Sequence, residues 1–178
     1  MRTFFALPVP EEAKKHIMET IKPFKDKNID LKWVKPKGMH ITLIFLGELD
    51  QRQADECARI LREPGLKCKP FSVRYSGVGS FPPRGNPRVI FCRIKEGAEE
   101  CREVYEYLKG FVDSSIYKEE REFHPHITLA RVKGRAGDLN LDEIGNLEGV
   151  FTVDRCILYQ SVLKPHGAEY REIASVRF

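Results

Sequence analysis

The sequence predicts an α+β fold of two similar lobes related by a pseudo-two-fold axis, and three observations predict it. His40-Ile41-Thr42-Leu43 recurs as His126-Ile127-Thr128-Leu129, 86 residues further on. The apolar segments around the two copies alternate between strand spacing and helix spacing in the same order. Glycine and proline cluster midway, at Gly79, Pro82, Pro83, Gly85 and Pro87, and mark a joint near residues 77–87. The chain has 178 residues, 42% hydrophobic and 31% charged, which fits one globular unit, 1–178, made of two small lobes.

Taken in order, residues 2–7 read as a strand, and the 86-residue shift lays them on the strand-like stretch 88–93. From Pro10 to about Lys25, the residues Ala13, Ile17, Ile21 and Phe24 fall on one helical face. Pro10 suits a helix start, and Pro23 predicts an end or a kink. The shifted image, 96–111, carries Cys101, Val104, Tyr105 and Leu108 as the same stripe. The H-x-T strand follows in each half. A helix over 51–62 comes next, with Ala54, Cys57, Ala58 and Leu61 inward; its image, 137–148, predicts a shorter helix with Leu139, Leu141, Ile144 and Leu147. Strand 71–78 answers to the apolar run 156–163, and residues 170–178 read as a closing strand.

Composition limits the function classes. No apolar run approaches the roughly 20 residues of a membrane span. The apolar N-terminal stretch is too short for a signal peptide and lacks its cleavage pattern, so a cytoplasmic protein is expected. Thirty basic against 26 acidic residues give a net charge of +4, which permits a phosphate-bearing partner without requiring one. The five cysteines, Cys57, Cys68, Cys92, Cys101 and Cys156, contain no C-x-x-C pair, so reduced, mostly buried thiols are expected rather than a zinc or redox centre.

The repeated motif carries the chemistry. Along a strand, alternate residues share a face. His40 and Thr42 therefore point one way while Ile41 and Leu43 point into the core, and His126 and Thr128 repeat the arrangement. A two-fold axis between the lobes brings two imidazoles and two hydroxyls together across a cleft. Hydrolysis of a phosphodiester needs a base for water, an acid for the leaving oxygen and donors to the non-bridging oxygens. Imidazoles titrating near pH ~6.5 supply the first two, and threonine hydroxyls supply the third. Arg131 would add a charge-assisted contact. Strict alternation turns it away from His126, so a twist, bulge or strand end must intervene if it joins the site.

Other candidates read more blandly. His124-Pro125-His126 resembles a metal pair, but packing or capping is the expected role of His124. His16 lies among lysines and is expected to be solvated; His166 falls in a turn. Trp33, Phe81 and Tyr159 read as packing residues before base-stacking ones. Ser161 has no base partner beside it.

The paired motifs resemble the two-histidine (2H) phosphoesterase superfamily, and within it the RNA 2',3'-cyclic phosphodiesterases, also called 2'-5' RNA ligases. The likeness extends over the chain: Arg2-Thr3-Phe4-Phe5-Ala6-Leu7-Pro8, Trp33-Val34-Lys35-Pro36, the first motif with Ile44-Phe45-Leu46-Gly47, Gly79-Ser80-Phe81-Pro82, and His124 through Arg131. The resemblance implies a bilobal fold with two antiparallel-rich sheets lining a central cleft and flanked by helices. It implies opening of RNA 2',3'-cyclic phosphate ends to 2'-phosphates without metal or other cofactor, and, in reverse, ATP-independent 2'-5' joining. Carried over by motif position, His40 is the general acid and His126 the general base, with Thr42, Thr128 and Arg131 on the phosphate. The implied partner is RNA with a cyclic end, tRNA fragments among the candidates; no membrane is implied, and a monomer is expected. A small cyclic nucleotide, a 2'-5' oligonucleotide or non-catalytic binding of RNA ends stay open as alternatives.

Overall fold

The computed structural model describes residues 1–28, 31–63, 68–117, 122–134, 139–164 and 167–178. His166 lies outside the described residues. The strands are β1 (Arg2–Pro8), β2 (Lys32–Trp33), β3 (His40–Glu48), β4 (Phe71–Phe81), β5 (Val89–Glu96), β6 (His126–Arg131), β7 (Glu148–Val153), β8 (Arg155–Lys164) and β9 (Gly167–Arg177). The helices are α1 (Glu11–Lys27), α2 (Gln51–Ile60) and α3 (Ala98–Phe111), with short 3-10 turns at Pro36–Gly38 and Leu141–Ile144.

The strands form one antiparallel sheet in the order β7-β4-β5-β6-β3-β1-β8-β9, with β2 paired to β6 beside that path. The two expected sheets are therefore halves of a continuous one. They meet where β3 and β6, the two H-x-T strands, pair through Ile41 and Ile127. Each half draws on both sequence repeats: β4 pairs with β5, whereas β8 returns to pair with β1. The Gly/Pro-rich stretch near 77–87 thus includes the turn of the β4–β5 hairpin within one half-sheet.

Local chemistry explains most elements. Helix α1 buries Ala13, Ile17, Ile21 and Phe24, the stripe read from the sequence. It does not stop at Pro23 but runs through it to Lys27, because burial of Ile21 and Phe24 outweighs one missing backbone donor. Asp50 and Gln53 close a capping box on α2. Gly97 opens α3 at φ +81°, and a Cβ there would strike the Ser72 carbonyl.

The second half departs from the first after its H-x-T strand. The helix expected over 137–148 is only the 3-10 turn Leu141–Ile144, followed by the unexpected strand β7; residues 137 and 138 lie outside the described residues. Gly145, at φ +79°, ends the turn and redirects the chain. Leu147, Phe151 and Val153 then enter the core. Strand pairing also corrects the repeat register: Leu7 faces Ile41 and Cys92 faces Ile127, so β1 and β5 correspond at a shift of 85 residues rather than 86.

Candidate active site

His40 and His126 each begin a strand at the junction of the two half-sheets. The antiparallel register around Ile41 and Ile127 sets His40 across from Thr128 and Thr42 across from His126. All four side chains are half-buried, whereas Ile41, Leu43, Ile127 and Leu129 are buried on the opposite face.

Both H-x-T strands then carry a bulge. Along β3, Thr42 pairs with Ala6 and Ile44 with the adjacent Phe5; along β6, Thr128 pairs with Phe91 and Ala130 with the adjacent Ile90. One extra residue in each strand lets two consecutive side chains, Leu43-Ile44 and Leu129-Ala130, face the core. Alternation resumes one residue out of phase. Arg131 is thereby returned to the cleft, where it lines a cavity of about 380 Å³ with His40, Thr42, Lys32 and Tyr170. Phe45 occupies the matching place on β3 and lines the same cavity, 45% exposed, with the Arg2 guanidinium 4.8 Å from its ring centre. The site is thus two-fold in its histidines and threonines but asymmetric at the next cleft-facing position.

Each imidazole is held by the chain just before it. His126 Nδ1 lies 2.7 Å from the carbonyl oxygen of His124, and His40 makes the corresponding bond to the Gly38 carbonyl. A carbonyl only accepts, so Nδ1 of His126 donates and Nε2 keeps a lone pair in the neutral ring. Aromatic rings pack against both. Phe4 stacks on His40 at 4.8 Å, with Tyr170 edge-on at 5.1 Å. Phe91 and Phe81 stand 5.1 and 5.3 Å from His126.

These surroundings favour neutral rings. Burial lowers His40 to about 4; the Gly38 carbonyl opposes the shift, and the charges of His126, Lys14 and Arg131 reinforce it. Burial likewise lowers His126, against the His124 carbonyl and with Arg131 and His124. Among the described residues, no group of three or more His, Cys, Asp or Glu is placed to hold a metal ion.

The remaining candidates fall elsewhere or support the site. His124 supplies its carbonyl to His126, and its ring lies 3.6 Å from Glu122. His16 is exposed as expected but is not merely solvated: its Nδ1 is 2.7 Å from the buried Tyr75 hydroxyl, 59 residues away in sequence. Trp33 packs edge-on against Phe24 and donates to the Asn28 carbonyl. Tyr159 stacks on Phe4 behind His40, and Ser161 lines the cavity. Phe4, Phe45, Phe91 and Lys32 were not singled out from the sequence as site residues. For Phe45 the available signal was its place in the repeat, 86 residues before Arg131.

The LigT like Phosphoesterase family description matches residues 7–91 and 94–170. The chain belongs to the LigT-like phosphoesterase family. Among its relatives, the RNA 2',3'-cyclic phosphodiesterase of Thermotoga maritima is 32% identical over 180 residues, covering 100% of this chain and 96% of its own. That of Archaeoglobus fulgidus is 31% identical, covering 97% and 98%. The crystal structure of TT0787 of Thermus thermophilus shares the fold with a TM-score of 0.83 at 30% identity, over 99% of this chain and 97% of that one. Escherichia coli LigT complexed with 3'-AMP superposes with a TM-score of 0.77 at 22% identity, over 99% and 97%, a likeness of fold. The curled antiparallel sheet with helices outside is the LigT-like fold, and the H-x-T strands occupy its junction.

Proposed function

We propose that the protein hydrolyses RNA 2',3'-cyclic phosphate ends to 2'-phosphates. The observation that carries this reading is the reciprocal placement of His40 with Thr128 and His126 with Thr42 at one junction, both imidazoles held from behind by backbone carbonyls. The names of relatives that cover nearly the whole chain support the same substrate.

In this mechanism His126 takes a proton from water through Nε2. The water oxygen bonds to phosphorus as the bond to O3' breaks, and His40 gives its proton to the departing O3'. The phosphate remains on O2'. Thr42, Thr128 and Arg131 donate to the non-bridging oxygens as negative charge grows there. His40 is neutral near pH 7 in the free protein, so it acquires its proton with the phosphate anion, whose charge offsets Arg131 and Lys14. The same steps with an RNA 5'-hydroxyl in the place of water, attacking phosphorus as the bond to O3' breaks, would form a 2'-5' linkage without ATP. Water is abundant, so hydrolysis dominates unless the 5'-end is held in place. We extend the proposal to tRNA fragments with cyclic ends, acted on by a monomer in the cytoplasm. Support comes from both motifs lying on one chain and from five free thiols.

The test is turnover of a short RNA ending in a 2',3'-cyclic phosphate, with EDTA present and the product phosphate assigned to a position. A 2'-phosphate formed by the native protein and lost in His40→Ala and His126→Ala is the expected result. Tight binding without turnover would replace the enzyme reading with that of an RNA-end binding module.

A further inference from the structure

Three cavities run into one another on one side of the site. The catalytic cavity shares Lys32, Arg131, Ala168 and Tyr170 with a second, which shares Lys35, Gly38, Ala168 and Tyr170 with a third that reaches Lys37, Arg171 and the carboxylate-bearing Glu169. The result is a continuous groove between the segment 32–38 and the start of β9. Its cations are exposed, and among the described residues Lys32, Lys35, Lys37 and Arg171 make no ion pair. On α1, by contrast, Lys14, Lys15, Lys22 and Lys27 are each paired with a carboxylate. Trp33 and Tyr170 also line the groove.

In sequence, the repeat does not carry these lysines into the second half. Segment 32–38 holds three lysines and no acid; the segment 86 residues later, 118–124, holds Glu119, Glu120 and Glu122 against Lys118 and Arg121.

We infer that this groove binds the single-stranded body of the RNA, with phosphates upstream of the cyclic end on Lys35, Lys37 and Arg171. Cations without ion pairs beside aromatic rings suit a flexible strand, because each phosphate needs a cation and each base offers a face to stack. The inference rests on the function proposed above and adds a substrate requirement: the preferred substrate is an oligonucleotide rather than a cyclic mononucleotide.

The experiment compares kcat/KM for a cyclic mononucleotide and for a tetranucleotide with the same cyclic end, across a salt series, in the native protein and in the double variant Lys35→Glu/Lys37→Glu. The native protein should prefer the tetranucleotide, and the preference should fall with salt by a log–log slope of about 0.7 for each phosphate held. The variant should lose on the order of tenfold on the tetranucleotide while its mononucleotide turnover holds. Equal native kcat/KM for the two substrates, or equal losses on both in the variant, would overturn the groove and leave the hydrolase reading intact. Absence of turnover on both substrates in the native protein would instead sink the hydrolase reading. Fluorescence anisotropy of a tetranucleotide 2'-phosphate then decides the groove: weaker binding by the variant supports it, and equal binding overturns it.

Discussion

Ile41 lies directly opposite Ile127, and this pairing at the centre of the sheet sets the geometry of the site. Both side chains are fully buried. The flanking His40 and Thr128, and Thr42 and His126, therefore face away from the core together, and the two H-x-T pairs are locked to one backbone register.

Replacing either imidazole should remove chemistry without unfolding the chain. His40→Ala and His126→Ala are expected to lower kcat by roughly 10²–10⁴-fold each, while the urea midpoint stays close to the native one. Loss of cooperative unfolding in both variants would mean that the histidines hold the sheet junction together rather than act on phosphate.

The proton donor can be separated from the acceptor by changing the leaving group. A substrate with sulfur in place of O3' expels a thiolate, whose conjugate acid has a pKa of about 8.5 in free cysteine and needs little help from an acid. His40→Ala should recover much of its rate on this substrate, and His126→Ala should not. The reverse pattern would exchange the two roles.

Burial of the imidazoles predicts how rate depends on pH. With His40 at about 4 and His126 also lowered, the kcat/KM profile of the free protein should centre on the acid side of the ordinary imidazole value of 6.5. The proposed mechanism requires bound phosphate to raise His40, so the basic limb of kcat should lie at higher pH than that of kcat/KM. Coincident limbs would show that the substrate does not bring the proton with it.

Stability should follow the same groups. The folded chain holds His40 neutral down to about 4, whereas the unfolded chain protonates near 6.5. Between those values the unfolded state binds more protons, so His40 lowers stability progressively as pH falls through that window. Chemical denaturation at pH 7 and pH 4.5 should show a smaller loss in His40→Gln than in the native protein; an equal loss would assign the acid sensitivity to other groups.

Gly149 is a test of packing away from the site. A Cβ there would overlap the Tyr75 ring, whose hydroxyl meets His16. Gly149→Ala should destabilise the fold by about 1–3 kcal/mol through overpacking, read as a lower denaturant midpoint. An unchanged midpoint would mean that Tyr75 moves aside at little cost.

Residue spacing alone revealed the two H-x-T strands, the buried stripes of α1 and α3, and the sharing of one face by histidine and threonine, because strand and helix periodicities write buried faces directly into the chain. It also posed the problem of Arg131 correctly, since period-two alternation turns that side chain away from His126. The answer came from the folded chain. The bulge after Thr128 shows itself as a mismatch between β6 and β5, two strands whose pairing no local spacing specifies. The same holds for the exchange of β4 and β8 between halves, for the one-residue slip between β1 and β5, and for the contact of His16 with Tyr75. The unpaired lysines of 32–38 were visible as letters, but nothing local sets them along one groove with Arg171, because long-range strand pairing brings those residues together.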